Sequence, residues 1–434
     1  MPDAAQTVVM KFGGTSVADA ERLTRAAKRI VALAETGTRV VAVLSARGRT
    51  TDELVAKAYE VSPRPNPREM DMLLSIGERE SCALAAMVIT DLGHEAISLT
   101  GSQAGIVTDT SHTRARILDV RADRIRTGLD EGKIVLVAGF QGVSVSSDVT
   151  TLGRGGSDTT AVALAAALAA DVCEIYTDVS GVFSADPRIV PGARKLPVVT
   201  FEEMLEMSAS GARVLQLRAV EYARNHGVSI HCRSSFDDRP GTVVEDEART
   251  MERPLITAVT HSTAEARVTL LGLPDRPGIA GRVLSALADA GVNVDMIIQN
   301  EPVTEGRQAD MSVTVPRDDL ANAREALAKL QGELGFAGVQ TDEQMGKVSL
   351  VGAGMRSHPG VAAKALTTLG DAGVNIEMIS TSPIKISCVI REEDVSNAVR
   401  ELHTAFDLGA DSVRREDVSG DHRPIVEPDS GEDA

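Results

Sequence analysis

A segment of 21 residues occurs twice in the second half of this chain. Residues 277–297 (PGIAGRVLSALADAGVNVDMI) align with residues 359–379 (PGVAAKALTTLGDAGVNIEMI), 82 positions later, and 12 of the 21 positions are identical. Each copy follows an apolar run of strand character, at 268–273 and 348–353, and precedes a strand pair and an Ala-rich helix. The order strand, helix, strand, strand, helix, strand is that of a ferredoxin-like (βαββαβ) unit. We therefore expect two such units to pack side by side with pseudo-symmetry.

The first half instead alternates short apolar runs with segments of helical spacing. Runs such as VVAVL and IVLVA are continuously apolar, which is typical of parallel strands covered on both faces. This alternation indicates an α/β fold, an α/β/α sandwich on a mainly parallel sheet. The predicted strands are 8–12, 40–44, 134–138, 173–176 and 227–233, and the predicted helices are 20–34, 53–59, 72–92, 157–169 and 211–225.

Composition excludes several classes of function. The 434 residues carry 45 Lys and Arg against 62 Asp and Glu, a formal net charge of −17, and aromatic residues make up 2% with no Trp. Such a chain lacks the charge and the stacking platforms for binding nucleic acid, so small molecules are the expected partners. The four cysteines form no CxxC pair, and no metal site is predicted. Without a leader-like start or an apolar run longer than 161–170, we expect a soluble cytoplasmic protein with no membrane contact.

The first candidate site is KFGGTS at 11–16, between a buried strand and a helix. The glycines let backbone N–H groups approach an anion closely, and the helix that follows adds a favourable dipole. Lys11 supplies a point charge for phosphate oxygens. The alternative is an ordinary glycine turn with a surface lysine, because this hexapeptide matches neither GxxxxGK[ST] nor GxGxxG.

The second candidate site is LGRGGSDTT at 152–160, again a glycine-rich loop before a helix. Arg154 can grip a carboxylate with two parallel hydrogen bonds. Ser157 and Asp158 either belong to the site or serve as N-caps. Open α/β sheets bind ligands at the carboxyl ends of their strands, which favours a ligand-binding role for both loops.

These loops belong to an ordered set of motifs that resembles the aspartokinases of the amino-acid kinase family. The set comprises KFGGTSV (11–17), SARGRTT (45–51), MDMLLSIGERES (70–81), GFQG (139–142), TTLGRGGSDTTA (150–161), YTDVSGVFSADPR (176–188) and PGTVV (240–244). The NVDMI and NIEMI ends of the repeat, with PGxA turns before their helices, are similar to the paired ACT regulatory domains of that family. The resemblance covers about residues 7–409.

The resemblance implies a catalytic domain at 1–249, a first ACT domain at 265–341 and a second ACT domain at 342–412. Residues 250–264 are expected to form a linker with a strand available to the second ACT domain. The tail at 413–434 is acidic and poor in apolar residues, so we expect it to be disordered.

The implied activity is transfer of the ATP γ-phosphate, with Mg²⁺ and no tightly bound cofactor, to the β-carboxylate of L-aspartate. The product would be 4-phospho-L-aspartate, at the first step of lysine, threonine and methionine biosynthesis. A carboxylate is already ionised at pH 7 and needs no general base, so catalysis rests on positioning and charge stabilisation. Two alternatives are another amino-acid kinase, such as glutamate 5-kinase or acetylglutamate kinase, and a non-catalytic amino-acid sensor. The paired ACT units argue against the first alternative, and Lys11, Glu78 and Arg154 argue against the second.

The resemblance also implies roles for individual residues. Lys11, Arg154 and Asp158 form the implied catalytic set, in which Lys11 contacts the β- and γ-phosphates and Asp158 acts through Mg²⁺ or by orienting Lys11. The implied aspartate-binding residues are Ser45, Thr51, Glu78, Arg154, Gly155, Gly156 and Ser157, with Glu78 facing the α-ammonium. The implied ATP-binding residues are Lys11, Phe12, Gly13, Gly14, Ser16, Tyr176, Thr177, Asp178, Val182, Asp186, Pro187, Arg188 and Arg213. Without the family, the simpler interpretation of Glu78 is a solvent-facing charge, and that of Asp186-Pro187-Arg188 is an ordinary turn.

Two residues depart from the family pattern. Arg47 stands where the family often carries a small or apolar residue, typically Met, and it adds a charge near the aspartate loop. Arg213 stands where several relatives have Lys, so its charge is kept but its geometry changes.

The ACT resemblance implies feedback inhibition by lysine, threonine or both. The implied effector-binding residues are Asp275, Pro277, Gly278, Ile279, Ala280, Asn293, Val294, Asp295 and Gln299 in the first unit, and Val361, Ala362, Asn375 and Ile376, with His358 nearby, in the second. Their alternative role is helix capping and core packing. Pro383 stands where relatives usually carry Glu, and loss of that carboxylate predicts weakened sensitivity to lysine.

Some relatives also make a separate regulatory chain from an internal start. Met251 lies where such a start would fall, although a linker methionine needs no special role. We therefore expect either a homo-oligomer or a mixed tetramer with a short regulatory chain starting near Met251.

Overall fold

The computed structural model describes residues 6–246, 255–300 and 308–409. Met251 and the acidic tail expected at 413–434 lie outside these residues. The described chain consists of an N-terminal α/β part, up to β12, and a C-terminal antiparallel module that begins with β13.

The N-terminal part alternates strands and helices. In chain order, its strands are β1 (Thr7–Phe12), β2 (Arg39–Leu44), β3 (Ala96–Leu99), β4 (Ile106–Thr108), β5 (Ile117–Val120), β6 (Ile134–Ala138), β7 (Gln141–Ser144), β8 (Val149–Thr151), β9 (Val172–Thr177), β10 (Val198–Thr200), β11 (Ile230–Ser234) and β12 (Thr242–Glu245). Its helices are α1 (Ala20–Ala34), α2 (Thr50–Val61), α3 (Pro67–Leu74), α4 (Ile76–Asp91), α5 (Asp123–Asp130), α6 (Gly156–Leu168), α7 (Phe201–Ala209) and α8 (Leu217–His226).

Eight of these strands form the main sheet, in the order β10-β12-β11-β9-β1-β2-β6-β3. Every neighbouring pair is parallel except β11 with β12. Successive strand residues point to opposite faces, so Val8 and Met10 pack against α1 and α4, whereas Val9 and Val41 face α5 to α8. This confirms the predicted α/β/α sandwich.

A small second sheet, β5-β4-β7-β8, was not anticipated from the sequence. Its strands have three or four residues each, too few to show the period-two pattern that marks a strand. β8 leads directly into the loop of Arg154, so this sheet supports one of the candidate sites.

Two predicted helices differ from the observed ones. The helix predicted at 72–92 is interrupted at Ser75, which separates α3 from α4. The interruption accompanies a close approach of Gly77 to the next loop, because a Cβ on Gly77 would lie 2.6 Å from Ala46 Cβ. The helix predicted at 211–225 begins only at Leu217, and the preceding residues form an irregular connection.

The C-terminal module contains β13 (Ala258–Pro274), α9 (Ile279–Asp289), β14 (Ile297–Gln299), β15 (Gln308–Pro316), α10 (Leu320–Leu334), β16 (Gly338–Val351), α11 (Val361–Asp371), β17 (Ile376–Ser382), β18 (Lys385–Arg391) and α12 (Val395–Ala405). Its strands form one sheet in the order β14-β15-β13-β16-β18-β17. The repeated segments correspond to α9 with β14 and to α11 with β17.

The two ferredoxin-like units share their central strands. The C-terminal half of β13 pairs with β15 and with the start of β16, while its N-terminal half pairs with the end of β16, from Ala258–Val351 to Ser262–Lys347. The last strand of the second unit is therefore supplied by residues that precede the first unit. The strand expected within 250–264 occupies this position.

Candidate active site

The carboxyl ends of β1, β2, β9 and β11 meet at one edge of the main sheet. Gly13 N donates to the Tyr176 carbonyl (3.2 Å), and Ser45 N donates to the Phe12 carbonyl (3.1 Å). The turn after β1 closes into one 3₁₀ turn, Gly14–Val17, whose Ser16 hydroxyl lies 2.6 Å from that of Ser235. The structure thus brings the first predicted loop to the edge where parallel sheets bind ligands.

Gly14 joins this phosphate turn, residues 13–17, to the loop after β2. A Cβ on Gly14 would lie 2.7 Å from the Ala46 carbonyl oxygen, so a side chain does not fit there. Gly48 N also donates to the Gly14 carbonyl (3.0 Å). The two loops that the sequence assigned to ATP and to aspartate are therefore interlocked through their backbones.

Lys11 forms an ion pair with Asp158. Lys11 Nζ lies 2.5 Å from Asp158 Oδ1, and both side chains are about nine-tenths buried. Nζ also lies beside the phosphate turn, since a Cβ on Gly13 would be 3.5 Å away from it. The contact is not an aligned hydrogen bond, and Asp158 Oδ1 has no other donor among the described residues. The pair holds a cation beside the phosphate turn.

Glu78 is a buried carboxylate with one unpartnered oxygen. The residue is 3% exposed, and Oε1 accepts a hydrogen bond from Ala46 N (3.2 Å). Oε2 has no partner among the residues that the structure describes. Burial is the main cause that raises the pKa of Glu78 to about 7. The alternative of a solvent-facing charge is therefore wrong, and the site is suited to an incoming cation.

Arg154 lies at the tip of a loop built from glycines of positive φ. Gly153 has φ 78° and Gly155 has φ 70°, conformations that glycine adopts without strain. Ser157 is buried at the start of α6, against Gly139, where a Cβ would lie 2.7 Å from Ser157 Oγ. Arg154 itself is exposed and has no ion-pair partner within the described part of the chain. Its guanidinium is available to a ligand.

Comparisons with known proteins agree with this geometry. Residues 6–234 match the amino acid kinase family, and residues 267–332 and 348–406 each match an ACT domain. The chain is 58% identical to the aspartokinase of Mycolicibacterium smegmatis over 407 residues, which cover 93% of this chain and 97% of that protein. The chain is an aspartokinase-family member.

Two solved aspartokinase structures share the fold. The first is described as Escherichia coli aspartokinase III in complex with aspartate and ADP in the R-state, with a TM-score of 0.79, 28% identity, and coverage of 92% of this chain and 99% of that one. The second is described as the same enzyme in complex with lysine and aspartate in the T-state, with a TM-score of 0.69, 28% identity and the same coverage.

Several of the expected nucleotide-binding side chains are buried in this aspartokinase-family chain. The rings of Phe12 and Tyr176 stack at 4.8 Å inside the core, and Val182 is also buried. The Val182 N–H is not free to contact a nucleotide, because it donates a hydrogen bond to Thr242 Oγ1 (2.8 Å). The main-chain oxygens of these three residues also accept backbone hydrogen bonds, from Ser45 N, Gly13 N and Leu196 N. Thr177 is the last residue of β9 and Asp178 follows it, with Thr177 Oγ1 3.2 Å from Asp178 Oδ1.

The Asp186-Pro187-Arg188 segment forms a closed turn. Asp186 accepts from Arg188 N (2.9 Å) and forms an ion pair with Arg188 Nη2 (2.6 Å), and these bonds lower the pKa of Asp186. Arg213 is exposed and lies close enough to His261 on β13 to help burial lower the pKa of that histidine. The predicted nucleotide segment therefore borders the ACT module.

The Arg47 guanidinium contacts other groups of the protein. Its Nε donates to the Val17 carbonyl (3.2 Å), and its Nη1 lies 3.4 Å from Glu80 Oε1. Arg47 thus connects the aspartate loop with the phosphate turn and with α4. Thr51 lies in the first turn of α2, close to the same loop.

The implied effector residues cluster at the two equivalent turns of the ACT module. Gly278 and Gly360 precede α9 and α11 with φ 90° and 96°, and neither helix start has a side-chain cap. Asp295 is not free for an effector, because it and Glu265 hold the buried Lys347 ammonium. Its counterpart in the second unit, Glu377, pairs with Arg267 (2.8 Å).

Sequence reasoning missed two supporting residues. Asp71 is fully buried and accepts from Thr151 Oγ1 (2.5 Å) and Thr113 N (3.0 Å), with His112 Nδ1 at 2.7 Å. Arg218 on α8 donates to two backbone carbonyls near the Arg154 loop. Neither has a local motif, because their partners lie 41 to 103 positions away in the chain.

Among the described residues, no group of three or more His, Cys, Asp and Glu side chains is arranged to hold a metal ion. Of the helices in those ranges, none has the length and apolar character that crossing a membrane requires.

Proposed function

We propose that this chain phosphorylates the β-carboxylate of L-aspartate with ATP, giving 4-phospho-L-aspartate. The observation that carries the proposal is Glu78, a buried carboxylate with an unpartnered oxygen, joined through Ala46 to the phosphate turn. An α-ammonium group next to Glu78 would supply the missing charge partner. The Escherichia coli relative, described in complex with aspartate and ADP, supports the same pair of ligands here.

The remaining residues supply positioning and charge. The aspartate β-carboxylate is ionised at pH 7, so no residue need remove a proton before attack. Lys11 would neutralise charge on the transferred phosphoryl group, and Asp158 would hold its ammonium beside the turn. Arg154 would bind a substrate carboxylate with two parallel hydrogen bonds. Ser45, Thr51 and Gly155–Ser157 would line the same pocket.

Magnesium is the expected companion of ATP. Mg²⁺ in kinases is held by substrate phosphates and one or two carboxylates, so a protein-only cluster is not needed. Asp158 fits this role as well, because it places a buried carboxylate next to Lys11 and the phosphate turn. When bound, the ion would offset negative charge on the phosphates.

We also propose that amino acids regulate the enzyme at the turns before α9 and α11. The relative described with lysine and aspartate in the T-state makes lysine one candidate, and threonine is the other. Pro383 lies in the turn between β17 and β18, where a Glu side chain would otherwise be available to a cation. We therefore propose that lysine inhibits this chain less strongly than threonine.

A coupled assay of ADP release tests these proposals together. Aspartate should support turnover and glutamate should not, and threonine should inhibit more strongly than lysine at equal millimolar concentration. Turnover with glutamate would favour the other amino-acid kinases, and absence of turnover with either acceptor would favour a sensor. Equal inhibition by lysine and threonine would contradict the role given to Pro383.

The assembly is a separate proposal. A homo-oligomer and a mixed tetramer with a short chain starting near Met251 both remain consistent with the sequence, and Met251 lies outside the described residues. Mass spectrometry of protein made from the unmodified gene, compared with a Met251→Leu variant, distinguishes them. A half-length chain that disappears in the variant supports the internal start.

A further inference from the structure

The loop that carries Arg154 is held at its base by Arg218 on α8. Arg218 Nη1 donates to the Leu152 carbonyl (3.0 Å), and Nη2 donates to the Ala115 carbonyl (2.9 Å). Ala115 N in turn donates to the Thr151 carbonyl (2.9 Å). One guanidinium therefore joins the two backbone segments on which the loop stands, directly before Gly153.

Gln216 contacts the other end of the loop. It is the residue immediately before α8, and a Cβ on Gly155 would overlap its side chain at Cγ. The Gln216 side chain thus lies against the bare Cα of Gly155. On the opposite flank, a Cβ on Gly153 would lie 3.2 Å from the Thr113 carbonyl. The backbone is confined on both sides of Arg154, while the Arg154 side chain stays exposed.

The same stretch of chain touches the ACT module. Gly211 has φ 107°, and a Cβ there would overlap the His261 carbonyl of β13. Residues 211–216 therefore contact a strand of the ACT module at one end and the Arg154 loop at the other. The irregular backbone found where a helix was predicted is what allows both contacts.

We propose that Arg218 and Gln216 are positioning residues that set the orientation of Arg154 toward the substrate carboxylate. The proposal rests on the substrate role given to Arg154 above. A bidentate Arg–carboxylate contact requires a defined orientation, and two flanking glycines would otherwise leave the loop many conformations. Loss of either contact therefore weakens aspartate binding while it leaves the phosphate turn in place.

Four variants and a matched control test this. Arg218→Met, Arg218→Lys, Gln216→Ala and Arg154→Met are compared with Arg224→Met, an arginine on the same helix whose guanidinium pairs with Glu202 (3.3 Å) instead. The measurements are KM for aspartate, KM for ATP, kcat, and hydrogen–deuterium exchange of peptides that cover 150–157 in the unliganded enzyme.

Arg218→Met and Gln216→Ala should raise KM for aspartate about tenfold, with little change in KM for ATP, and should speed exchange in 150–157. Arg218→Lys should show smaller changes in KM for aspartate and in exchange than Arg218→Met. A lysine ammonium can donate to one of the two carbonyls but does not bridge both as the guanidinium does. Arg224→Met should change none of these quantities.

The outcomes separate this proposal from the substrate role of Arg154. If Arg154→Met leaves KM for aspartate unchanged, that role is wrong, and the exchange data alone then decide whether Arg218 and Gln216 order the loop. If Arg154→Met raises KM while Arg218→Met and Gln216→Ala change neither KM nor exchange, the positioning proposal is overturned. If Arg218→Met does not fold, Gln216→Ala decides by the same two measurements.

Discussion

Ser184 Oγ lies 3.0 Å from His403 Nε2, which ties the catalytic domain to the last helix of the ACT module. The same hydroxyl donates its one hydrogen to the Leu408 carbonyl (2.9 Å). In the contact with His403 the hydroxyl oxygen is therefore the acceptor and Nε2–H is the donor. Ser184 precedes the Asp186-Pro187-Arg188 turn by two positions. A buried histidine of the ACT module therefore holds the base of the segment that the sequence assigned to nucleotide binding.

This contact predicts that the protein loses stability on the acid side of neutrality. Burial lowers the pKa of His403 below its ordinary value, and Arg194 lowers it further. The unfolded chain then binds a proton that the folded chain does not, so stability is full above about pH 6.5 and declines as pH falls toward the folded pKa. Thermal unfolding midpoints at pH 7.5 and 5.5 measure the effect.

His403→Gln should make this pH dependence shallower without abolishing it, because the pKa values of His231 and His261 are lowered as well. His226→Gln, at an exposed histidine, is the control and should leave the wild-type slope. An identical slope in His403→Gln and in the wild type would show that His403 does not contribute.

Removal of Lys11 should reduce kcat strongly. Lys11→Ala takes away the cation beside the phosphate turn, and loss of one preorganised charge-stabilising group lowers kcat about 100-fold or more. Asp158→Asn should lower kcat less, because the ammonium remains but is no longer held by an anion. Lys57→Ala, at an exposed position on α2, serves as the control. Steady-state kinetics with kcat of Lys11→Ala within a few-fold of wild type would refute the assigned role.

Glu78 should control the pH dependence of aspartate binding. Its pKa of about 7 means that the carboxylate is largely protonated below neutrality and ionised above it. We expect kcat/KM for aspartate to fall as pH drops through 7, because the α-ammonium then loses its charge partner. Glu78→Gln should lower kcat/KM at pH 8 by at least about 30-fold and remove that inflection. Glu53→Gln, an exposed glutamate on α2, should keep the wild-type profile.

Arg47 should affect both substrates. Arg47→Met removes the bond to the Val17 carbonyl and the contact with Glu80, so the aspartate loop and the phosphate turn lose one of their links. We expect a rise of a few-fold, about 1 kcal/mol, in KM for ATP and for aspartate. Arg49→Met, two residues away and exposed, is the matched control. A change confined to KM for aspartate would instead indicate direct action of the Arg47 charge on that substrate.

Lys347 should be required for stability of the ACT module. Its ammonium is buried between Glu265, at 3.2 Å, and Asp295, and Lys347→Met would leave two carboxylates without their cation. Breaking a buried ion pair in this way costs roughly 3–5 kcal/mol. Lys329→Met, at an exposed pair with Glu325, should cost far less. Equal unfolding midpoints for the two variants would contradict the importance of the buried cluster.

Much of the fold follows from local pattern. The predicted helix at 20–34 has the observed bounds of α1, and the runs at 40–44 and 134–138 are central strands of the main sheet. These elements bury a complete face, so their apolar spacing is strong over many residues. β4 and β8 have three residues each, too few to show such a pattern.

Some features of the site required the positions of distant residues. The family resemblance singled out Lys11, Glu78 and Arg154 and left open whether Asp158 orients Lys11. The structure pairs Lys11 with Asp158, 147 positions later (158 − 11), and leaves one oxygen of Glu78 without a partner among the described residues. Arg47 was expected to add a charge near the aspartate loop, and the structure shows the partners of that charge, the Val17 carbonyl and Glu80. Such partners are set by packing, which no local spacing records.

The repeat illustrates the same difference between what local sequence determines and what tertiary contacts determine. Residues 277–297 and 359–379 were sufficient to indicate two ferredoxin-like units, because helix and strand periods are properties of neighbouring residues. The shared strands β13 and β16 were not visible in the repeat, since a strand finds its hydrogen-bonding partner through space and not along the chain. Sequence periodicity thus indicated the elements, and the ordered motifs indicated the family by resemblance. The contacts between elements established how the catalytic domain, the Arg154 loop and the ACT module are joined.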